Sequence, residues 1–168
     1  MTEAALVDTR LLRSVCGHFT TGVTVVTSGS TSFVVGVTVN SFTSVSLEPP
    51  LILVCIHNDS SDLPALRGTG AFAVNILAAD QEEVCRTFAR RHTRRATGVD
   101  VHPGLTGVPI LSKALAYLEC RLRREVDGGD HAILIGEVVA LDVLRDDRPL
   151  AFFRSAFHHL PHDLPNGS

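Results

Sequence analysis

GVTVVTSGSTSFVVGVTVNSF, residues 22–42, is the stretch that predicts how this chain folds. Two runs rich in valine and threonine flank the turn sequence Gly-Ser-Thr-Ser, which is typical of a β-hairpin. Further along, PPLILVCI at residues 49–56 is a continuous apolar run that begins with two prolines. Such a run predicts a strand buried on both faces, with the prolines at its start. The fold is therefore expected to be mainly β.

Three later segments also have strand character. AFAVNIL (residues 71–77) and HAILIGEVVALDVL (residues 131–144) are apolar runs with strand composition. ALAYLECRLRREV (residues 114–126) alternates apolar and polar residues, which predicts a strand with one solvated face. The residues expected to face inward on that strand are Leu118, Cys120 and Leu122.

Helices are predicted at three places. TRLLRSVCGHF (residues 9–19) has apolar residues at three- and four-residue spacing, which indicates an N-terminal helix. AADQEEVCRTFARR (residues 78–91) predicts a second helix, with Asp80 as its N-cap and Glu83 three residues later, as in a capping box. SSDLPALRGTG (residues 60–70) predicts a short helix or loop that ends at a glycine.

Seven or so strands with two or three helices favour a closed or nearly closed antiparallel barrel. A chain of 168 residues fits one domain, expected at residues 10–157, with an irregular segment at residues 92–109 and a C-terminal tail at residues 158–168.

The tail contains three clustered histidines, which are potential metal ligands. A surface tail is the favoured alternative, so no metal site is predicted. The histidines are His158, His159 and His162.

Composition argues against several classes of partner. The formal net charge is −3, which disfavours binding to nucleic acid or to an anionic membrane surface. The apolar runs are far shorter than the roughly 20 residues of a membrane span. The first 15 residues contain acids and arginines where a secretory signal would be apolar, so a cytoplasmic protein is expected. The four cysteines are scattered, which favours reduced, mostly buried thiols.

A polar tract at residues 38–46, TVNSFTSVS, interrupts the apolar pattern just before the run PPLILVCI. A loop so rich in hydroxyls, held between two core strands, offers many neutral hydrogen-bonding groups to a ligand. The alternative is a polar turn whose hydroxyls bond to their own backbone. The chain has no phosphate-binding G-x-x-x-x-G-K motif and no G-x-G-x-x-G dinucleotide motif.

Five blocks of the sequence, in this order, resemble the short-chain NAD(P)H:flavin oxidoreductases. The blocks are FTTGVTVVT, GVTVNSFTSVSLEPPLILVCI, GAFAVNIL, LEC and GGDHAILIGEV. These enzymes are the flavin reductase components of two-component flavin-dependent monooxygenases. The resemblance covers about residues 10–157 and implies a split antiparallel β-barrel that forms a homodimer. It implies hydride transfer from NADH, with NADPH possible, to FAD or FMN (EC 1.5.1-type) and release of reduced flavin to a separate monooxygenase.

The resemblance also implies a set of site residues. Those expected around the isoalloxazine and ribityl chain are Gly36, Val37, Thr38, Asn40, Ser41 and Ser44. Those expected along the flavin after the next strand are Cys55, His57, Ser60 and Ser61. Those expected at the flavin phosphate are Phe88, Ala89, Arg90 and Arg91. Those expected on the nicotinamide side are Pro149, Leu150, Phe152 and Phe157.

His131, in the block GGDH, is the predicted catalytic residue. The resemblance places it at the open face of the flavin, where it would position the nicotinamide, with Asp130 orienting its ring. Hydride transfer requires nicotinamide C4 to be held about 3–3.5 Å from flavin N5, so positioning is the expected role. The alternative is a histidine that only caps a turn.

Two other functions stay open at this point. One is a split-barrel module that binds flavin without reducing it, as a store or sensor. The other is a relative of the pyridoxine-phosphate oxidases, which share the barrel. Such a relative would be expected to have more basic residues for a substrate phosphate than this chain contains.

Overall fold

The computed structural model describes residues 7–90 and 98–161 as one chain of mixed strands and helices. The helices are α1 (Thr9–Cys16), α2 (Leu63–Thr69) and α3 (Glu82–Ala89). The strands are β1 (Thr21–Gly22), β2 (Thr24–Ser30), β3 (Phe33–Val39), β4 (Thr43–Leu47), β5 (Pro50–His57), β6 (Ala71–Ile76), β7 (Val101–Pro103), β8 (Pro109–Leu111), β9 (Ala116–Gly128), β10 (His131–Val143), β11 (Leu150–Phe153) and β12 (Ala156–His159). Among the helices in these ranges, none is both long and apolar enough to cross a membrane.

Seven strands form the main sheet, in the order β3-β2-β6-β9-β10-β5-β4. All pairings in it are antiparallel. Its two edge strands, β3 and β4, are consecutive in the chain, so the sheet curls until its edges approach each other, but it does not close. The mainly β class and the split-barrel form are thereby confirmed, whereas full closure is not observed. The predicted hairpin is β2–β3, whose last pair is Ser30 with Phe33.

The main core lies inside the curl of this sheet. It combines alternate residues of β5 with Phe72, Cys120 and the two buried leucines of α2. Along β5 the residues alternate between buried and half-buried, so the prediction of burial on both faces was wrong. The reason is position: β5 is the second strand from the sheet edge, and the core covers only one of its faces.

Two further expectations were wrong for reasons outside the local sequence. Asp80 does not cap α3, because its carboxylate pairs with Arg145 across the fold, and Gln81 occupies the N-cap position. The polar tract at residues 38–46 is not one loop: it comprises the end of β3, a three-residue turn and the edge strand β4. β4 is a strand because β5 supplies its hydrogen bonds, although its own residues are mostly polar and exposed.

The segment expected to be irregular contains a hairpin. β7 and β8 pair with each other over residues 101–111, while residues 92–97 of the predicted segment lie outside the described ranges. Asn75, fully buried on β6, donates to the carbonyl oxygen of Val25 (3.0 Å) and accepts from the N–H of Leu111 (2.8 Å). This side chain fastens β8 to the main sheet.

A buried carboxylate fastens the same hairpin at its turn. Glu119, on β9, is fully buried and points away from the main core. Its oxygens accept from the backbone N–H of Leu105 (2.7 Å) and from the backbone N–H and hydroxyl of Thr106. Gly104 lies against this carboxylate so closely that a Cβ atom there would collide with it. The hairpin turn is therefore built around one glutamate.

The remaining strands form a small second sheet in the order β1-β11-β12. The first two residues of the predicted C-terminal tail, His158 and His159, belong to β12 and pair with Ala151 and Leu150. In the described ranges, no cluster of histidine, cysteine and acidic side chains has metal-binding geometry.

The cysteine thiols differ in their surroundings, and this gives a first prediction. Burial raises the pKa of Cys120 to about 12 and also raises the pKa of Cys85, whereas Cys16 is exposed. Since the thiolate is the reactive form, iodoacetamide at neutral pH should label Cys16 and leave Cys85 and Cys120 unmodified in the native protein. Peptide mass spectrometry measures this, and urea-unfolded protein is the control. Rapid native labelling of Cys120 would contradict the buried placement.

Candidate functional site

Two adjacent cavities meet at the C-terminal end of α3. The α3 cavity, about 250 Å³, is lined by Val37, His57, Asp59, Ser60, Ser61, Asp62, Phe88, Ala89 and Arg90. The hairpin cavity, about 220 Å³, is lined by Val23, Thr38, Val39, Asn40, Cys85, Ala89, Phe152 and Phe157. Ala89 belongs to both, so the two cavities form one composite site. Most of the site residues predicted from the sequence lie in its walls.

The second half of β3 contributes to both cavities. Val37 lines the α3 cavity, and Thr38 and Val39 line the hairpin cavity. The Thr38 hydroxyl donates to the carbonyl oxygen of Cys85 (2.7 Å) and so ties β3 to α3. Gly36 is buried beneath Phe88, where a Cβ atom would lie 2.6 Å from the ring. Gly36 therefore permits close packing of α3 and is not itself in a cavity wall.

Ser41 acts on the backbone of the neighbouring strand. Its hydroxyl donates to the carbonyl oxygen of Cys55 (3.0 Å) and accepts from the N–H of Cys55 (2.9 Å). Both bonds hold the turn between β3 and β4 against β5, which fixes the rim of the hairpin cavity at Asn40. Ser44, by contrast, is exposed on the edge strand β4. Ser41, Ser44 and Cys55 are not part of either cavity wall.

We expect Ser41→Ala to lower the free energy of unfolding by about 1–2 kcal/mol, because it removes two hydrogen bonds from a partly buried position. Flavin binding should weaken as well, since the turn beside Asn40 loses its attachment to β5. Urea denaturation and a flavin titration measure the two effects. Ser44→Ala, which removes an exposed serine three residues away, is the matched control for stability and should leave the free energy of unfolding unchanged. Equal losses of stability in the two variants would contradict the role given to Ser41.

The chain that follows β5 forms the floor of the α3 cavity. His57 Nδ1 accepts from the N–H of Asp59 (3.1 Å), and the Ser60 hydroxyl accepts from the N–H of Asp62 (3.3 Å). These bonds shape a turn whose polar groups face the cavity. Arg90, at the end of α3, is the cation of the described wall. Arg91, the other predicted phosphate ligand, lies outside the described residues.

His131 begins β10 directly opposite His57, the last residue of β5. The two rings meet edge to face with centroids 5.0 Å apart. His131 Nδ1 donates to the Asp130 carboxylate at 2.6 Å, which leaves Nε2 for another partner. His131 is not in the wall of either cavity, but it contacts His57, which is. The histidine therefore lies at the rim of the α3 cavity.

The turn before His131 is held at both ends. Asn58 donates through its side chain to the carbonyl oxygen of Gly129 (2.9 Å) and through its N–H to that of Asp130 (2.9 Å). The hydrogen bond from His131 lowers the pKa of Asp130 below its usual value of 3.8. The Asp130 carboxylate thus stays ionised, and its orienting bond to His131 is lost only as the pH falls through that lowered value.

The β11–β12 hairpin closes the hairpin cavity with an aromatic pair. Phe152 and Phe157 are cross-strand partners with ring centroids 5.6 Å apart, and the Arg86 guanidinium lies 5.1 Å above the Phe157 ring. The other two residues predicted on this side do not reach the cavity. Leu150 is fully buried in the core, and Pro149 pairs with Ala78.

Sequence reasoning did not find three features of the site: the wall residues Val23, Val39 and Cys85, the pairing of His57 with His131, and the Asn58 contacts to the turn. The His57–His131 pair depends on the register between β5 and β10, which no local pattern specifies. A polar residue directly after a buried strand was the one signal available for Asn58.

The split antiparallel sheet and the composite cavity at the end of α3 are features of a barrel that binds a cofactor. Comparison of the sequence with known protein families identifies the family. Residues 16–161 match the family described as "Flavin reductase like domain". This match covers most of the chain, and the chain therefore belongs to that family.

Three relatives are similar to this chain over more than nine-tenths of its length, and two of them have solved structures. BorF, the flavin reductase component of a bacterial two-component tryptophan halogenase, is 42% identical; the match covers 92% of this chain and 99% of BorF, with a TM-score of 0.85. The Streptomyces globisporus NADH:FAD oxidoreductase SgcE6, solved with NAD and FAD fragments, is 41% identical over 95% of this chain and 99% of that one, with a TM-score of 0.86. HsaB of Rhodococcus jostii, the reductase subunit of a flavin-dependent monooxygenase, is 39% identical over 92% of this chain and 79% of its own length.

Proposed function

We propose that this protein is an NADH-dependent flavin reductase that transfers hydride to FAD or FMN and delivers reduced flavin to a separate monooxygenase. The observation that carries the proposal is the composite cavity at the end of α3, with His131 at its rim. Relatives named as an NADH-dependent FAD reductase (44% identical) and an FMN reductase (NADH) (42% identical) support the same activity. The reaction type corresponds to EC 1.5.1.

The residues present fit a flavin by their chemistry. An isoalloxazine has flat apolar faces and a polar edge, and the cavity walls offer Val37, Phe88 and Phe152 beside the hydroxyls of Thr38 and Ser60. Arg90 is the cation in the described wall of the α3 cavity that would pair with a flavin phosphate. Asp59 and Asp62 share that wall, which favours placing the phosphate on the Arg90 side, away from the two carboxylates.

A bound flavin supplies the two-electron acceptor, and the chain supplies position and exclusion of water. Phe152 and Phe157 provide an apolar surface for the nicotinamide ring. His131, oriented through Nδ1 by Asp130, presents Nε2 at the open side of the site. Hydride transfer requires the nicotinamide C4 and the flavin N5 to be held about 3–3.5 Å apart, and it needs no proton transfer at C4. A side chain that fixes the nicotinamide in this position therefore raises the rate of hydride transfer without moving a proton.

The experiment is steady-state kinetics at 340 nm with each pair of FAD or FMN and NADH or NADPH. We expect NADH oxidation that depends on added flavin, with NADPH a poorer donor. Flavin binding without NADH oxidation would instead favour the alternative function, a flavin-binding module that stores or senses the cofactor. Reduced flavin passing to a separate oxygenase is tested by coupling the reaction to an oxygenase across a dialysis membrane.

A homodimer in the cytoplasm is part of the proposal. Four large apolar side chains of α1 and the residues after it are exposed, from 52% for Leu12 to 78% for Phe19. A second copy of the chain, packing on this surface, would bury them. We expect a dimer in sedimentation equilibrium. A monomer that binds flavin with full affinity would contradict this part of the proposal.

A further inference from the structure

A third cavity, about 490 Å³, lies between α1 and the turn that joins β11 to β12. It is larger than either cavity of the composite site and shares no lining residue with them. We call it the arginine pocket. Its lining residues are Thr9, Arg10, Arg13, Ser14, Gly17, His18, Arg154 and Ser155.

The arginine pocket is basic, although the chain as a whole has a negative net charge. Acidic residues outnumber lysine and arginine by 18 to 15 overall, yet the pocket wall contains three arginines and no carboxylate. Within residues 7–90 and 98–161, no carboxylate lies within ion-pair distance of Arg10, Arg13 or Arg154. Three arginines in one pocket wall without a paired carboxylate favour an anion.

The third arginine is held in place at a conformational cost. Arg154 and Ser155 have φ values of 49° and 64°. These values lie in the left-handed region, which residues other than Gly, Asn and Asp rarely adopt. The N–H of Arg154 donates to the carbonyl oxygen of Gly17 (2.9 Å), and the Phe153 ring contacts His18 from the same hairpin. Positive φ at both residues is what a two-residue hairpin turn between β11 and β12 requires, so the turn fixes the backbone of Arg154 beside α1.

The other lining groups suit phosphate oxygens. Thr9, Ser14 and Ser155 provide hydroxyls. His18 Nδ1 donates to the carbonyl oxygen of Ser14 (2.8 Å), so Nε2 is available to a ligand. Each planar guanidinium fork pairs with two oxygens, so three arginines suit the several oxygens of a diphosphate better than the two oxygens of one carboxylate.

We propose that the arginine pocket binds the ADP moiety of NADH, with its arginines on the diphosphate. FAD is the poorer fit, because its diphosphate contains the flavin phosphate that the proposed function places on Arg90. This assignment rests on the proposed function. The β11–β12 hairpin connects the hairpin cavity to the arginine pocket. Phe152 lines the hairpin cavity, and Arg154, two residues later and roughly 7 Å along the strand, lines the arginine pocket. A dinucleotide with one ring beside Phe152 therefore brings its diphosphate within reach of the turn.

The pocket remains open in the proposed dimer. Along α1, Arg10, Arg13 and Ser14 lie on one side of the helix, and the exposed Leu12 and Val15 lie on the opposite side. A second copy that covers the apolar side leaves the arginine side accessible.

The direct test is calorimetric titration of the wild-type protein with ADP, without flavin or NADH. We expect the double variant Arg13→Gln with Arg154→Asn to bind ADP about tenfold more weakly or worse, because it loses two charge-assisted contacts. Asparagine tolerates the left-handed conformation at residue 154, so the fold should be retained, and thermal unfolding checks this. Arg124→Gln, an exposed arginine on β9, is the control and should leave ADP binding unchanged. Absence of ADP binding in the wild type, or equal binding in the double variant, would overturn the proposal.

Kinetics then tests whether NADH is the source of the ADP moiety. With FMN as acceptor, only NADH contains ADP, so a raised KM for NADH in the double variant assigns the pocket to the nicotinamide dinucleotide. A raised KM for FAD with an unchanged KM for NADH would overturn this assignment. If neither KM changes while ADP binding is lost, the assignment to the substrates is wrong. ADP binding without any wild-type NADH oxidation would contradict the proposed function and leave the pocket itself in place.

Discussion

Replacing Glu119 with alanine should lower the free energy of unfolding by about 3 kcal/mol or more, the largest stability effect we expect from a single substitution. The variant leaves two backbone N–H groups and one hydroxyl, those of Leu105 and Thr106, without the buried carboxylate that accepts from them in a partly buried turn. It removes three hydrogen bonds to a charged group at once, and such bonds contribute more than neutral ones. Urea denaturation measured by far-ultraviolet circular dichroism gives the change.

The matched control is Glu125→Ala, which removes a glutamate from the same strand. Glu125 forms an ion pair with Arg67 at the surface, where such pairs contribute little. Glu119→Gln keeps an acceptor oxygen of the same size and should retain part of the stability. If Glu119→Ala and Glu125→Ala are equally stable, Glu119 does not hold the β7–β8 hairpin.

Replacing His131 with alanine should reduce kcat/KM for NADH by about ten- to a hundredfold. The side chain lies at the rim of the α3 cavity and not in the core, so the barrel should remain folded and flavin affinity should change little. The loss should come from a nicotinamide that is no longer held in reacting geometry. Steady-state kinetics with saturating flavin measures this effect.

His102→Ala is the control for His131, because His102 lies on β7 and lines neither cavity. Asp130→Ala should give a smaller loss than His131→Ala, since it removes only the group that orients the ring. A His131→Ala protein with lower thermal stability but unchanged kinetic constants would make this histidine a turn-capping residue.

The predictions that succeeded were those in which one local pattern decides the structure. β-Branched residues around a Gly-Ser-Thr-Ser turn specify the β2–β3 hairpin, and the alternation of Leu118, Cys120 and Leu122 specifies which face of β9 is buried. The polar face of the same strand shows the limit. Glu119 has the pattern of a solvated residue, yet it is fully buried, because the β7–β8 hairpin covers it.

Long-range partners explain the remaining differences. Asp80 has the spacing of a helix cap, but Arg145, 65 residues later, provides a stronger contact. The residues 43–47 look like a loop by composition and become a strand only through pairing with β5. For the site, the resemblance indicated most of the wall residues, whereas the arginine pocket combines residues separated by about 140 positions and has no motif.

The order of the strands in the main sheet determines when the sheet can be completed during synthesis of the chain. β9 and β10 are the last two strands of that sheet to emerge from the ribosome, yet they occupy the middle positions between β6 and β5. Until they arrive, β2, β3 and β6 form one sheet fragment and β4 and β5 another, each with an unpaired inner edge. Unpaired strand edges are sites of aggregation. A nascent chain that stalls before residue 116 therefore cannot complete its fold, and the β9–β10 hairpin joins the two fragments in a single late step.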